Sequence, residues 1–283
     1  MKRVLIIGST STVGLALGQA LNSDAVVTFA GRRNADIQLD LGRDTPWEEL
    51  QASYDVVVNV AAYFGSQQPS DMLEAARVNA LGALQACVLA KQVEAKHIVQ
   101  ISSASAGYCV GSGFYNAYSL TKRQGEELCT LFCAKHELAL TILRPTQLYD
   151  AMGAARIHQR MFYHILDRAA AGQDIVIFGR SDPWRNYIFI PDFAEICRRV
   201  ILRGVTGIFN VAHPDAHRLS KVAALAYDVF GTTGTIGFDC SKPDLGDVEV
   251  EMDRRLIEAI TYVPETSLIN GMRLFRLKQE SES

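Results

Sequence analysis

The sequence lacks an excess of charge of either sign and lacks any long apolar run. It carries 28 lysines and arginines against 31 aspartates and glutamates, a formal net charge of −3. A nucleic-acid-binding domain usually has a basic surplus, so this balance argues against that class. No apolar run approaches the roughly 20 residues of a membrane-spanning helix. The first apolar run stops at Gly8, too short for a signal peptide. We therefore expect a cytoplasmic protein without nucleic-acid or membrane partners.

Cysteines are few and scattered along the chain. The six lie at positions 87, 109, 129, 133, 197 and 240, and without a secretory signal they are expected as reduced thiols. Cys129 and Cys133 are spaced to share a helix face and could hold a metal. No second pair lies nearby, so packing in the core is the favoured interpretation. His213 and His217 flank a Pro-Asp turn and are more simply explained as loop residues near a ligand cleft. We predict no metal site.

The chain starts with a strand-like run, a glycine-containing turn and a helical pattern. Residues 3–8 read Arg-Val-Leu-Ile-Ile-Gly, which is typical of a buried parallel strand. This context suits a dinucleotide, because glycine lets the backbone approach the pyrophosphate and the helix N-terminus attracts its negative charge. The residues of this turn predicted to bind the cofactor are Gly8, Thr10, Ser11, Thr12, Val13 and Gly14.

A tyrosine and a lysine four residues apart form the second motif. Tyr118 and Lys122 project from one face of a helix, and a pair of serines lies upstream after a strand-like run. An ammonium group beside a tyrosine lowers the phenol's pKa, and a serine hydroxyl can hold a carbonyl oxygen while a proton moves. These groups suit hydride chemistry at a carbonyl carbon. A solvated helix face is the alternative for the pair taken alone.

Together these motifs resemble the extended short-chain dehydrogenase/reductase family, in its epimerase/dehydratase branch, from Met1 to about Pro214. The family's G-x-x-G-x-x-G pattern is matched except that Ser11 replaces the middle glycine. Because serine tolerates positive φ less well than glycine, we expect this turn to differ in detail. The resemblance implies further cofactor contacts from Asp40, Leu41, Ala61, Ala62, Tyr63, Asn79, Pro145 and Thr146.

The same resemblance implies a catalytic triad of Ser103, Tyr118 and Lys122, of which Tyr118 and Lys122 also contact the cofactor. Ser102 and Ser105 are alternatives to Ser103, which fits the family register best. Ser103 and Tyr118 are only fifteen positions apart, fewer than is usual in the family, so we expect a trimmed loop over the substrate.

The pattern of β alternating with α predicts a doubly wound parallel sheet of the Rossmann type. We predict strands at 25–30, 37–39, 56–60, 98–101 and 138–143, and helices at 46–50, 70–92, 117–136 and 192–203. A dinucleotide-binding domain is expected at 1–150, with 186–212 returning to it. A smaller substrate-binding lobe is expected at 151–185 and 213–283.

Two adjacent arginines decide the cofactor prediction. NAD sites place a carboxylate at the tip of strand two, whereas NADP sites use arginine for the 2′-phosphate. Arg32 and Arg33 follow this strand, while Asp24 precedes it and Asp36 follows the turn. We predict NADP, with NAD as the alternative if both arginines are only solvated.

The predicted reaction is NADPH-dependent reduction of a nucleotide-linked 4-keto-6-deoxy sugar, with Tyr118 as general acid. Ser103-Ala-Ser-Ala106 offers no carboxylate, which disfavours a dehydratase. A nucleotide-sugar 4-epimerase with tightly held NAD is the alternative within the family, and an NADP(H)-binding sensor without turnover is the alternative outside enzymes. Whether the chain forms a homodimer stays open.

The resemblance also implies that a nucleotide diphosphate binds between the two lobes. Arginine suits its phosphates because guanidinium binds them in a bidentate manner. Ser103 and three arginines, Arg156, Arg160 and Arg185, are therefore predicted to contact the substrate. A solvated basic face is the alternative for these arginines.

Overall fold

The computed structural model describes residues 1–43, 52–65 and 67–282, so the helix predicted at 46–50 lies outside the described residues. The described strands are β1 (Lys2–Ile7), β2 (Ala25–Gly31), β3 (Ile37–Gln38), β4 (Val56–Asn59), β5 (His97–Ile101), β6 (Ala139–Pro145), β7 (Gln147–Tyr149), β8 (Ile175–Phe178), β9 (Trp184–Arg185), β10 (Tyr187–Phe189), β11 (Gly207–Val211), β12 (His217–Arg218) and β13 (Ile236–Asp239). The described α-helices are α1 (Thr12–Leu21), α2 (Pro69–Ala75), α3 (Gly82–Gln92), α4 (Ala117–His136), α5 (Arg160–Ala170), α6 (Ile190–Arg203), α7 (Leu219–Phe230), α8 (Arg254–Ile260) and α9 (Leu268–Glu282).

Seven of these strands form one parallel sheet in the order β11-β6-β5-β4-β1-β2-β3. Strands β4 and β5 are buried along their whole length, as expected for a parallel sheet covered on both faces. The strand order changes direction between β1 and β4. Ligands of such sheets bind outside the carboxyl ends of the strands at this switch point. The predicted Rossmann-type fold is therefore confirmed.

The helix predicted at 70–92 is present, but it is not regular. Between α2 and α3 lies a π-helical segment, Ala76–Leu81, with Asn79 buried within it. By length and composition alone the run Pro69–Gln92 could cross a membrane, and 44% of its most apolar window is buried inside the protein. Core helices pass the same test, so this is weak evidence for a membrane span.

Helix α4 has the bounds predicted from the sequence, and its start is well defined. The Asn116 side chain accepts a hydrogen bond from Ser119 N at 3.0 Å, and Ser119 Oγ accepts one from Asn116 N at 2.9 Å. This reciprocal capping box satisfies donors that the first helical turn leaves free. Cys129 and Cys133 face inward from α4 and pack with Cys87 in the apolar cluster on the sheet, as the core interpretation predicts.

The chain divides into two compact units, whose bounds differ from the predicted domains. The first contains 1–145, 193–211 and 253–262, and the second contains 146–192, 212–252 and 263–283. The sequence did not indicate that 253–262 belongs to the first unit. It does so because Asp253 N donates to Asn210 O at 3.1 Å and Arg199 and Arg203 donate to carbonyls at the end of α8.

The second unit contains three two-stranded sheets, β10-β7, β12-β9 and β13-β8, together with α5, α7 and α9. Residues 146–149 belong here rather than to the first unit because β7 pairs with β10. An aromatic cluster holds this unit together. Its members are Tyr149, Phe162, Tyr163, Tyr187, Phe189 and Phe275. Gly271 of α9 lies against the Tyr149 hydroxyl, where a Cβ would clash.

Candidate active site

The glycine turn after β1 is formed largely as the sequence predicts, but Ser11 does not strain it. Gly8 has φ +121° and lies so close to Val60 that a Cβ would meet that side chain at 2.7 Å. Ser11 instead has φ −73° and is the N-cap of α1, where its hydroxyl accepts from Gly14 N at 3.4 Å. The middle position thus needs no positive φ here, and serine caps the helix whose N-terminus would face a pyrophosphate.

The backbone after β4 is held by two buried amides. Asn59 accepts from Ala61 N at 3.1 Å and donates to Gln100 Oε1 at 2.9 Å. Asn79 accepts from Tyr63 N at 2.9 Å and donates to Tyr63 O at 2.7 Å. The two amides fix the segment that contains the predicted cofactor residues Ala61, Ala62 and Tyr63.

Asn79 also connects this segment to the catalytic helix. Its amide donates to Thr121 Oγ1 at 3.0 Å on α4. Gly125 of α4 lies directly against the Asn79 carbonyl, where any Cβ would clash. The π-helical segment and α4 are therefore in close contact beside Tyr118 and Lys122, and π-helical turns often mark functional positions.

The structure brings the three predicted catalytic residues together within the first unit. Ser103 follows β5, and Tyr118 and Lys122 lie on the first turns of α4. The Lys122 ammonium is 5.9 Å from the centre of the Tyr118 ring and donates to Ile101 O at 3.0 Å. The Ser103 side chain is near enough to the Tyr118 phenol to influence its pKa.

The three serines of this segment have different hydrogen-bond partners, and these partners favour Ser103 as the catalytic serine. Ser102 is buried and its hydroxyl donates to Glu126 at 2.5 Å, away from Tyr118. Ser105 donates to Ser103 Oγ from its hydroxyl at 2.9 Å and from its backbone N–H at 3.1 Å. Ser103 therefore has its acceptor sites occupied and its own proton available for the phenol or for a substrate oxygen.

The pKa of Tyr118 differs from the expectation that Lys122 lowers it. Burial raises the pKa of the Tyr118 phenol, and the nearby Ser103 side chain opposes this rise in part. Burial lowers the pKa of Lys122 to about 8, and the Glu126 carboxylate opposes that change. The ammonium is directed to the Ile101 carbonyl rather than to the phenol oxygen. Tyr118 thus keeps its proton at neutral pH, as a general acid must.

An aromatic residue that the sequence analysis did not single out covers Tyr118. Phe64 stacks on the Tyr118 ring at 4.5 Å between centroids, with 12° between the planes. Beside it, the Tyr63 hydroxyl donates to Asp71 at 2.7 Å, and this bond raises the pKa of Tyr63. Phe64 directly follows the Ala-Ala-Tyr turn, and its position after a motif residue was the only signal in the sequence.

The tip of β2 presents two arginines. Arg32 and Arg33 are exposed, and Ser9 Oγ fixes the turn by donating to Arg33 O at 2.6 Å. Asp36 accepts from Phe29 N at 2.8 Å, and Asp24 forms an ion pair with Arg198 at 2.8 Å. Both acids near the strand are thus engaged elsewhere. Of the predicted cofactor contacts Asp40 and Leu41, Leu41 is buried and Asp40 forms an ion pair with Arg43 at 3.0 Å.

The predicted substrate arginines lie in the second unit, and two of them have partners there. Arg185 is buried and donates from Nη1 to the carbonyls of Trp184 and Gly246, both at 2.7 Å. Arg156 forms an ion pair with Asp167, and Arg160 is exposed at the start of α5. Thr146, a predicted cofactor contact, donates to Asn186 at 2.8 Å in this unit. Contact of these residues with a ligand stays a prediction.

Fold and site together define a protein of the short-chain dehydrogenase/reductase type. Residues 4–212 match the NAD dependent epimerase/dehydratase family, and the chain belongs to it. It is 25% identical over 165 residues to GDP-L-fucose synthase 1 of Arabidopsis thaliana, covering 55% of this chain and 50% of that protein. It is 27% identical over 154 residues to dTDP-4-dehydro-6-deoxy-D-allose reductase of a Streptomyces species, covering 53% and 46%.

These matches thus span about half the length of the curated relatives. Among solved structures, the UDP-N-acetylglucosamine 4-epimerase from Bacillus cereus has a TM-score of 0.80 at 18% identity, covering 99% of this chain and 97% of that one. A likeness at this identity shows a shared fold, and here it extends across both units.

Proposed function

We propose that the protein reduces the carbonyl group of a nucleotide-linked 4-keto-6-deoxy sugar with NADPH. The arrangement of Ser103, Tyr118 and Lys122 carries this proposal. It combines a protonated phenol, a serine hydroxyl with its proton available, and a buried ammonium within a few ångströms at the carboxyl end of the sheet. Reduction of a carbonyl needs a proton donor and an oxygen-binding group in such proximity.

The residues present fit a dinucleotide, because Gly8 leaves space that a side chain would fill and the N-terminus of α1 follows it. When bound, the cofactor supplies the hydride that adds to the carbonyl carbon. Ser103 donates a hydrogen bond to the carbonyl oxygen and orients it. Tyr118 transfers its phenolic proton to that oxygen, which becomes the product hydroxyl. Lys122 would hold the nicotinamide ribose when the cofactor is bound, and its positive charge would stabilise the phenolate until solvent returns the proton.

The choice of NADPH rests on the tip of β2. Arg32 and Arg33 are exposed and available to a 2′-phosphate, whereas Asp24 lies at the opposite end of β2 and pairs with Arg198, and Asp36 accepts from the β2 backbone at Phe29 N. An exchangeable NADPH suits a reductase, which consumes one cofactor in each turnover. A 4-epimerase would instead retain its NAD.

The substrate class is supported by the curated relatives. The name of the Streptomyces relative describes reduction of a dTDP-linked 4-dehydro-6-deoxy sugar, and the plant relative is a GDP-L-fucose synthase. A substrate of the same class, a nucleoside diphosphate joined to a keto sugar, is what we propose for this chain. Arg160 and Arg185 are the candidates for its phosphates.

The proposal is tested by following NADPH oxidation at 340 nm with a panel of GDP-, dTDP- and UDP-linked 4-keto-6-deoxy sugars. We expect one NADPH consumed per sugar reduced, and turnover about 10²–10⁴-fold lower with Tyr118→Phe. Interconversion of two saturated nucleotide sugars without added cofactor would instead identify a 4-epimerase. Cofactor binding without turnover on the whole panel would indicate a sensor.

A further inference from the structure

Buried Glu126 of α4 forms an ion pair with Arg144, which is 27% exposed, and the mechanism above uses neither residue. Glu126 is 3% exposed and receives two parallel hydrogen bonds from Arg144 of β6, Nε to Oε1 at 2.9 Å and Nη2 to Oε2 at 2.5 Å. The Ser102 hydroxyl donates to the same carboxylate at 2.5 Å. Both carboxylate oxygens are therefore fully occupied, which is the geometry that makes a buried pair favourable.

The position of this carboxylate in the chain connects it to the catalytic residues. Glu126 follows Lys122 by four residues, so the two side chains lie on one face of α4. Ser102 lies between Ile101, whose carbonyl accepts from the Lys122 ammonium, and Ser103, the candidate catalytic serine near Tyr118. The Glu126 carboxylate thus contacts the end of β5, where Ile101 and Ser103 lie beside Lys122 and Tyr118 of α4.

We propose that Glu126 is a positioning residue of the candidate active site, which fixes the end of β5 against α4 and holds Lys122 in its protonated form. The proposal rests on the function proposed above for Lys122, that its ammonium binds the cofactor ribose. Arg144 serves to keep the carboxylate ionised and correctly oriented. Neither residue contacts the reacting atoms.

The electrostatic part follows from the groups around Lys122. Burial disfavours its charged form, and the Glu126 carboxylate is the main group that favours it. The other titratable groups that face it are Tyr118 and Cys129, both on α4, while Arg144 approaches from β6 through Glu126. Without the negative charge of Glu126, Lys122 would lose its proton at a lower pH.

This is tested by measuring the affinity for NADPH and for NADH, by cofactor fluorescence, from pH 6 to 10. For whichever cofactor binds more tightly, we expect the affinity of the wild-type protein to fall above pH ~8 as Lys122 loses its proton. The Lys122→Met variant should lack this fall. Glu126→Gln should move the fall to lower pH by about one unit. Glu126→Asp keeps the negative charge, so the fall in affinity should stay close to the wild-type pH.

Two further variants separate positioning from general loss of stability. Arg144→Met removes the same ion pair but leaves the negative charge, so the fall should not move to lower pH. Asp24→Asn breaks an ion pair with Arg198 elsewhere in the first unit and should leave the profile unchanged. If Glu126→Gln does not fold, the double variant Glu126→Gln/Arg144→Met leaves no unpaired charge and should still show the shift to lower pH.

The inference is overturned if Glu126→Gln, or the double variant in its place, has the wild-type profile, or if Arg144→Met shifts it as far as Glu126→Gln does. A Lys122→Met variant that keeps the fall also overturns it. Because the readout is cofactor binding, a failure to reduce any keto sugar would contradict the proposed function without altering these curves.

Discussion

The Tyr118 phenol is the group on which the proposed chemistry depends, and three contacts define its state. Phe64 stacks on its ring, the nearby Ser103 side chain opposes the rise of its pKa, and the Lys122 ammonium lies 5.9 Å from its ring centre. Burial keeps the proton on the phenol at neutral pH. In the direction of reduction this is the required state, because the phenol must begin as an acid.

Replacing Tyr118 by phenylalanine removes the transferable proton and keeps the ring that stacks on Phe64. We expect turnover to fall by about 10²–10⁴-fold, the usual contribution of a well-placed general acid. Cofactor affinity, measured by fluorescence titration, should change little. Near-normal turnover by this variant would show that another group delivers the proton.

The sequence indicated Ser103, Tyr118 and Lys122 because a spacing of four on a helix is visible in the chain. It could not indicate Glu126 with Arg144, or Phe64 with Tyr118, because these pairs form only when separate elements meet. The sequence likewise could not indicate that the Ser102 hydroxyl donates to Glu126, which favours Ser103 as the catalytic serine.

At the scale of elements, the tips of the parallel strands determine what binds where. β1 ends in the glycine turn, β2 in two arginines, and β5 in the serines. The bounds of α4 were predictable because its periodic pattern starts after a capping asparagine, Asn116. The π-helical segment Ala76–Leu81 was not, because it depends on the contact of Asn79 with Gly125 and Tyr63.

Replacing both Arg32 and Arg33 by glutamine tests the tip of β2. NADPH binding should weaken by up to about 3 kcal/mol, the range of hydrogen bonds to charged groups. NADH binding, which involves no 2′-phosphate, should be nearly unaffected in the same titration. A wild-type preference for NADH would contradict the assignment and favour the epimerase.

The pairing of β5 with β6 contains a histidine that makes stability depend on pH. His97 is buried and lies 2.7 Å from Thr141 Oγ1, and burial, with a smaller contribution from Lys2, lowers its pKa to about 4. The unfolded chain, with an ordinary histidine pKa near 6.5, therefore binds the proton first as pH falls. Stability from this group is present above pH ~6.5 and is lost between there and pH ~4.

This loss should amount to about 3 kcal/mol, measured by urea denaturation at several pH values. His97→Gln should flatten the profile between pH 6.5 and 4, whereas His136→Gln, at an exposed histidine, should keep the wild-type slope. An unchanged slope in His97→Gln would show that other groups dominate acid destabilisation.

For the whole molecule, the β-α alternation of the first 145 residues was sufficient to predict the sheet and its parallel direction. The division into units was harder to foresee. Residues 253–262 lie far along the chain from the rest of the first unit, and they join it through contacts such as those of Asp253, Arg199 and Arg203. Short polar contacts of this kind leave no periodic pattern in a sequence.

The central claim is that the protein transfers hydride from NADPH to a keto sugar, and isotopic labelling tests it most directly. Two samples of NADPH are prepared, each with deuterium on a different face of nicotinamide C4. Each is incubated with the nucleotide 4-keto-6-deoxy sugars, and the product is analysed by mass spectrometry and NMR. We predict that one of the two labels appears at the sugar carbon that carried the carbonyl group, with stoichiometric NADP⁺. Interconversion of saturated nucleotide sugars with no label in the product would contradict the account.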